Sequence, residues 1–344
     1  MAKKIGVLLV NLGTPEGPTA DKVKRYLKEF LMDPLVIDIA YPLRWFLVNQ
    51  IILRTRPEKS AEAYKKIWTE EGSPLLIHTL ALAKKVQIEL GEKYSVEPAM
   101  RYGVPSIKSG LEKLKQTQVD KIYAFPLYPQ YSLAATQSSI NECVKEMKSL
   151  GMIQELEFIP PFYEEQNFVA AYKDVIQRVI SKNSPEQLIF SFHGVPERHV
   201  RKTDPDKNHC LTKTSCCDRI TEANKNCYRA QCFATARALA KELGLSKEHY
   251  HVSFQSRLGR TPWIKPYTDI LYSELAAKGI KRIAVVCPSF VADCLETLEE
   301  VAIRGRNDFI KAGGTELQFV PSLNSQDLWV KGVTEIIRGA DLRV

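Results

Sequence analysis

The feature that most constrains this chain is an alternation. Short, continuous apolar runs recur at residues 5–10, 97–102, 121–126, 156–159, 187–192, 251–254, 282–286 and 316–320. Between them lie longer segments with apolar residues at helical spacing, at 21–31, 60–68, 74–90, 107–115, 168–180, 230–243, 267–278 and 295–310. A strand that is apolar on both sides must be covered on both sides, and a helix after each strand supplies the cover. The pattern therefore predicts an α/β protein whose parallel sheets are flanked by helices. The run ends also repeat. NLGTP, MRYG, FPLYPQYS and FIPPFY are answered later by SFHGVP, SFQSR, CPSFVAD and FVPSLN, and Tyr123 and Ala284 stand at the same offset as Pro160 and Pro321. Two halves of similar topology follow, residues 1–165 and 166–344. Ligands of open α/β sheets bind beyond the carboxyl ends of the strands. The Gly-, Pro- and polar-rich turns fall there, so the cleft between the halves is the expected site.

Composition narrows the class. The 344 residues are 44% hydrophobic and 26% charged, which excludes a disordered or fibrous chain. The net charge of +8 is spread without a Lys/Arg tract. It makes a weak case for nucleic acid, which is not expected as a partner, and suits anionic small molecules or a membrane surface equally well. The greasiest stretch, 45–53, is far short of the roughly 20 residues that cross a bilayer. The apolar run near the N-terminus stops at Asn11, Gly13 and Pro15 without a small-residue cleavage site, which reads as a first buried strand of a cytoplasmic protein with reduced thiols. GxGxxG, GxxxxGK[ST] and GxSxG are all missing from the sequence, so dinucleotide, P-loop and hydrolase readings lose their usual support.

Several residues could carry chemistry instead. His193 closes the run 187–192 ahead of Gly194 and Pro196, where an imidazole can take a proton or bind a metal. In CPSFVADCLETLEE, Asp293, Glu296 and Glu300 are spaced i, i+3, i+7, which on an α-helix starting near Asp293 is one face. A histidine facing a row of carboxylates suits a divalent cation delivered with proton removal. Tyr123, Tyr128 and Tyr131, around FPLYPQYS, are candidates for the wall of a flat apolar pocket. Arg101 and Tyr102 end the neighbouring strand and are candidates to meet an anionic substituent. Residues 41–53, YPLRWFLVNQIIL, would form an apolar helix followed by Arg54 and Arg56: either a buried helix or an exposed lip against a bilayer or a hydrophobic substrate. Finally, five of the eight cysteines, Cys210, Cys216, Cys217, Cys227 and Cys232, form C-x5-C-C-x9-C-x4-C in a polar stretch. Thiols at that density read as a metal or iron–sulfur site with four ligands among five candidates. Zinc competes less well without a paired CxxC knuckle.

Taken together, VNLGTPEGP, EGSPL, RYG, YPQYS, SFHGVPERHVRKTDP, FQSRLGRTPWIKPYTD and CPSFVADCLETLEE resemble the ferrochelatase family over nearly the whole chain. The resemblance implies two Rossmann-like, chelatase-type halves around a porphyrin cleft, and insertion of ferrous iron into protoporphyrin IX to form protohaem. It implies that His193 is base and metal ligand, that Glu296 opposes it, and that Asp293 and Glu300 continue an acidic path. Family members often carry a histidine where this chain has Cys294. Arg101 and Tyr102 match pocket residues, and 41–53 matches a lip that meets a membrane, so peripheral contact with the inner face of a membrane is an open alternative to a purely cytoplasmic location. The cysteines lie in an insertion at about 206–228 and imply a [2Fe-2S] cluster bound by four of the five. The alternatives are another tetrapyrrole chelatase, taking cobalt, nickel or coproporphyrin, and a non-catalytic haem or iron–sulfur protein.

Overall fold

The structure is a computed structural model describing residues 4–257, 259 and 261–342; Leu258 and Arg260 of the FQSRLGR motif lie outside the described residues. Its strands are β1 (Ile5–Gly13), β2 (Tyr94–Tyr102), β3 (Lys121–Pro126), β4 (Glu155–Phe158), β5 (Gln187–His193), β6 (Tyr250–Gln255), β7 (Arg282–Val286) and β8 (Glu316–Val320). Every apolar run expected as a strand is one. They form two parallel four-stranded sheets, of order β2-β1-β3-β4 and β6-β5-β7-β8. The second order is the first advanced by four strands, so the repeat seen in the strand ends is a repeat of topology.

Burial explains why the runs are continuous. In β1, Val7, Leu8, Leu9 and Val10 are all buried. Leu8 and Val10 pack with Ile107, Leu111 and Leu114 of the helix Ile107–Gln116 and with Cys143 and Met147 of the helix Ser138–Ser149. In the other sheet Ile189, Ile283, Val285 and Leu317 pack with Leu271, Leu275 and Phe309. Each aliphatic side chain so covered contributes about 1.5–3 kcal/mol relative to exposure. At the end of β1, Gly13 has φ of +117°, and an added Cβ would sit 1.8 Å from the Tyr102 carbonyl oxygen. Only glycine lets these neighbouring strand ends approach so closely.

The chain divides into two compact units. One holds the described residues of 1–128, 133–160 and 324–344; the other holds 129–132 and 161–323. The final segment, expected with the second half, therefore belongs to the first unit. Its helix Asp327–Asp341 buries Trp329, Val333 and Ile337 and packs along the helix Pro74–Leu90. Ion pairs Lys85–Asp327 (2.8 Å) and Lys93–Asp341 (2.6 Å) tie both of its ends there. Residues 129–132 go to the second unit because Gln130 donates to Thr235 (2.9 Å) and the Tyr131 N–H donates to Gln231 (2.6 Å). Among the described residues no helix is long and apolar enough to cross a membrane.

Candidate functional site

The second unit gathers its chemistry at the carboxyl edge of β6-β5-β7. His193, the last residue of β5, lies in register with Gln255, the last of β6. Its main chain is held from both sides: its N–H donates to Ser289 Oγ (3.1 Å), and its carbonyl accepts from the Tyr228 hydroxyl (2.8 Å). Its Nδ1 is 2.6 Å from the Gly194 carbonyl oxygen. A carbonyl only accepts, so Nδ1 carries the proton and Nε2 is the ring's acceptor. The edge of the ring rests against Phe290.

The acidic helix differs from its expected form. It begins at Glu296, and through Gly305 its hydrogen-bond ladder is that of a π-helix. Such a turn closes on the fifth residue, and it breaks the α-helical row that the i, i+3, i+7 spacing implied. Asp293 lies ahead of the helix and is buried. Its Oδ1 accepts from Thr297 Oγ1 and from the Ser322 N–H, both at 3.1 Å, so it pins the helix start to the loop after β8. Glu296 is half-buried, and its backbone carbonyl accepts from Gln255 Nε2 (2.8 Å). The Glu300 carboxylate accepts from the Ser256 N–H on Oε1 (2.8 Å) and from Ser256 Oγ on Oε2 (2.5 Å). Arg304 stands 3.6 Å away. Burial pushes the Glu300 carboxyl above the usual range, against the opposing pull of Ser256, Arg304 and nearby His193. Among the described residues no three His, Cys, Asp or Glu side chains form a group that could hold an ion. His193, Asp293, Glu296 and Glu300 are therefore not a preformed cage.

In the first unit the expected pocket residues are largely internal. Arg101 donates to Asp33 Oδ2 (2.7 Å) and to Ser138 Oγ (2.7 Å). The Tyr102 hydroxyl donates to the same Asp33 oxygen (2.9 Å), and Tyr102 is fully buried. Asp33 also accepts from the Leu35 N–H (2.7 Å) and so fixes the turn that leads to the lip. Tyr123 is buried in the middle of β3, and Tyr128 bonds Ser139 (3.3 Å). The lip is a continuous helical run, Tyr41–Phe46, a π-helical Leu47–Ile52, then Leu53–Lys65. It is exposed: Tyr41 is 61%, Leu43 64% and Phe46 55% accessible, with Trp45 and Ile51 exposed beside them. Arg44 turns the other way and is buried, donating to the carbonyls of Ile37 (3.2 Å) and Ile39 (3.0 Å).

The cysteine-rich insertion runs between the helices Glu197–Lys202 and Tyr228–Glu242 and is organised by side chains. Asp204 accepts four backbone N–H groups, from Asp206 and Lys207 (3.2 Å each) and from His209 and Cys210 (2.8 Å each). Asn224 donates to the carbonyls of Cys216 and Arg219, both at 2.9 Å. All eight cysteines are unbridged and buried. Four of the thiols form a contact chain: Cys210 with Cys227, Cys227 with Cys217, and Cys217 with Cys216, whose sulfurs are 3.7 Å apart. Cys232 lies on the following helix, bonded to Tyr228. Arg229 reaches Cys217 Sγ at 3.1 Å. The thiols match an iron–sulfur cluster in donor type only; among the described residues no three of them form a group that could hold a metal ion, so the expected [2Fe-2S] site is not preformed.

Residues that sequence reasoning left without a role are Asp33, Gln255, Ser256, Ser289 and Thr297. All but Asp33 lie inside the FQSRLGR and CPSFVADCLETLEE motifs, but nothing in their identities announced which carboxylate or backbone group they would hold.

A parallel-stranded half of order 2-1-3-4, repeated once, with acids and a histidine at one carboxyl edge, defines a chelatase-type protein. SirB from Bacillus subtilis, solved with Fe3+, shares the fold with a TM-score of 0.53 at 13% identity, covering 97% of this chain and 94% of that one. The ferrochelatase family model matches residues 4–340. Curated ferrochelatases of Coxiella burnetii (44% identical, 97% of this chain and 93% of that one), Bdellovibrio bacteriovorus (44%, 98% and 99%) and Legionella pneumophila (45%, 96% and 98%) are similar end to end. The chain belongs to the ferrochelatase family and is a metal chelatase that inserts iron into porphyrin.

The Asp204 contacts yield a prediction. Burial alone would raise this carboxyl, but its four backbone donors outweigh burial and hold it below the usual aspartate range. A depressed folded pKa means that the anchor is present above the ordinary aspartate pKa and lost only as pH falls through the folded value. Asp204→Ala removes it at neutral pH. Hydrogen bonds to a charged group are worth about 1.5–3 kcal/mol each, so amide exchange at His209 and Cys210 should accelerate roughly tenfold or more. Unchanged exchange would contradict the anchoring role.

Proposed function

We propose that the iron inserted is ferrous and the porphyrin is protoporphyrin IX, giving protohaem and two protons taken from the pyrrole nitrogens. The observation that carries this is the carboxyl edge of β6-β5-β7, where His193, its Nδ1 committed to the Gly194 carbonyl, ends β5 in register with Gln255, and Gln255 and Ser256 hold the helix that bears Glu296 and Glu300. A planar macrocycle hides its nitrogen lone pairs, so insertion needs a base for the pyrrole protons and a route for a hydrated cation. His193 takes the protons through Nε2. Glu296 and Glu300, on successive turns of the π-helix, form the carboxylate path. Asp293 serves the path from outside by fixing the helix start. Arg101, Tyr102, Tyr123 and Tyr128 act as a supporting layer, with Arg101 and Tyr102 anchoring the base of the lip through Asp33.

The insertion holds a [2Fe-2S] cluster in this reading, with Cys210, Cys216, Cys217 and Cys227 as the ligands and Cys232 as the spare. The contact chain of four thiols supports that set. Such a cluster supplies a covalent cross-link to an otherwise polar loop. The protein works at the cytoplasmic face of a membrane, with the exposed Tyr41, Leu43, Trp45, Phe46 and Ile51 as its contact.

His193→Ala should lower the insertion rate roughly 100-fold or more, the usual contribution of a positioned base, with porphyrin binding near wild type by fluorescence. Glu296→Gln should lose kcat to a similar degree. Wild-type turnover in either variant would refute that residue's role. For the cluster, protein purified without oxygen should carry stoichiometric iron and acid-labile sulfide with visible absorbance. Cys227→Ser should lose all three and Cys232→Ser should keep them. Retention in Cys227→Ser, or loss in Cys232→Ser, would overturn the ligand set.

A further inference from the structure

Ser256 directly follows β6 and adopts a left-handed backbone with φ of +66°. A residue with a Cβ rarely takes that conformation, and where one does the surroundings impose it, often at a functional site. Here the conformation has a visible product: the Ser256 N–H and hydroxyl point at the two different oxygens of one carboxylate, Glu300 Oε1 at 2.8 Å and Oε2 at 2.5 Å. A serine in extended backbone would aim these two donors in different directions. The residue before it grips the same helix one turn earlier, through Gln255 Nε2 on the Glu296 carbonyl. The grip is itself seated, because Gln255 Oε1 accepts from Ser191 Oγ at 2.6 Å. From these contacts we infer that Ser256 is a positioning residue for iron transfer: its two donors fix the rotation of the Glu300 carboxylate, so that the carboxylate presents one constant face to the incoming cation.

The inference rests on the reading of Glu300 as part of the carboxylate path. It makes a specific statement about kinetics. A carboxylate free to rotate still attracts iron but offers no fixed ligand, so the cost falls on the use of iron and not on the porphyrin. Glycine and alanine separate the two donors and the backbone. Ser256→Gly keeps the left-handed backbone without strain and keeps the N–H, removing only the hydroxyl. Ser256→Ala removes the hydroxyl and keeps the unfavourable conformation.

The test is steady-state insertion with ferrous iron and porphyrin varied independently, beside thermal unfolding. Ser256→Gly should raise KM for iron about tenfold, the loss expected for one hydrogen bond to a charged group. Its KM for porphyrin should be unchanged, and its melting temperature no lower than wild type. In a double-mutant cycle the Ser256→Gly effect should vanish on a Glu300→Gln background. Wild-type iron kinetics in Ser256→Gly, with Glu300→Gln impaired, would overturn the positioning role and leave the path intact. Wild-type kinetics in Glu300→Gln would overturn the path and with it this inference. Equal loss for iron and porphyrin, tracking a lowered melting temperature, would mark Ser256 as a structural turn residue only.

Discussion

Parallel pairing of β5 between β6 and β7 is the constraint on which the candidate site depends. Register fixes His193 beside Gln255, and the chain leaving β7 then brings Ser289 under the His193 N–H. None of these positions can slide alone, because a one-residue slip would turn the buried side chains of β5 from one sheet face to the other. The apolar sandwich that makes the strands legible therefore also sets where the imidazole sits and which backbone atoms hold it. The Nδ1 contact with Gly194 then decides which ring nitrogen accepts.

The acidic groups divide their labour according to how their lone pairs are occupied. A buried carboxylate needs donors to offset its lost hydration. Asp293 finds them in Thr297 and Ser322, and Asp33 in Arg101, Tyr102, Ser138 and Leu35; both become structural anchors. Glu296 and Glu300 are only partly covered. Glu300 is held on both oxygens by Ser256, with Arg304 3.6 Å from Oε2. The same logic shapes the lip, where Arg44 turns inward to two carbonyls while Tyr41, Leu43, Trp45, Phe46 and Ile51 stay exposed.

What could be read from the sequence follows the physics of each signal. Strands buried on both faces show as unbroken apolar runs, so all eight were legible, as was the duplicated strand order. The widened ladder of 296–305 was not, since a π-helix carries no composition signature and its acids fit an α-helical count equally well. The last helix looks like a member of the second half because it follows β8 directly; its apolar face, its ion pairs to Lys85 and Lys93 and the Arg338 hydrogen bond to the Glu89 carbonyl place it with the first unit. An apolar helix reads alike whether buried or exposed, so the accessibility of Leu43 and Phe46 had to come from the structure. The positive φ of Ser256 was equally hidden, because the backbone angle comes from the contacts around it and not from the residue.

Iron insertion into porphyrin needs a base and a cation path, and the carboxyl edge of β6-β5-β7 offers both. Its most direct test is an anaerobic assay of the purified protein with ferrous iron and either protoporphyrin IX or coproporphyrin, following the haem absorbance over time. Multiple turnovers to protohaem, with protoporphyrin as the preferred substrate, are expected. Stoichiometric binding without turnover, or turnover confined to coproporphyrin, would contradict it.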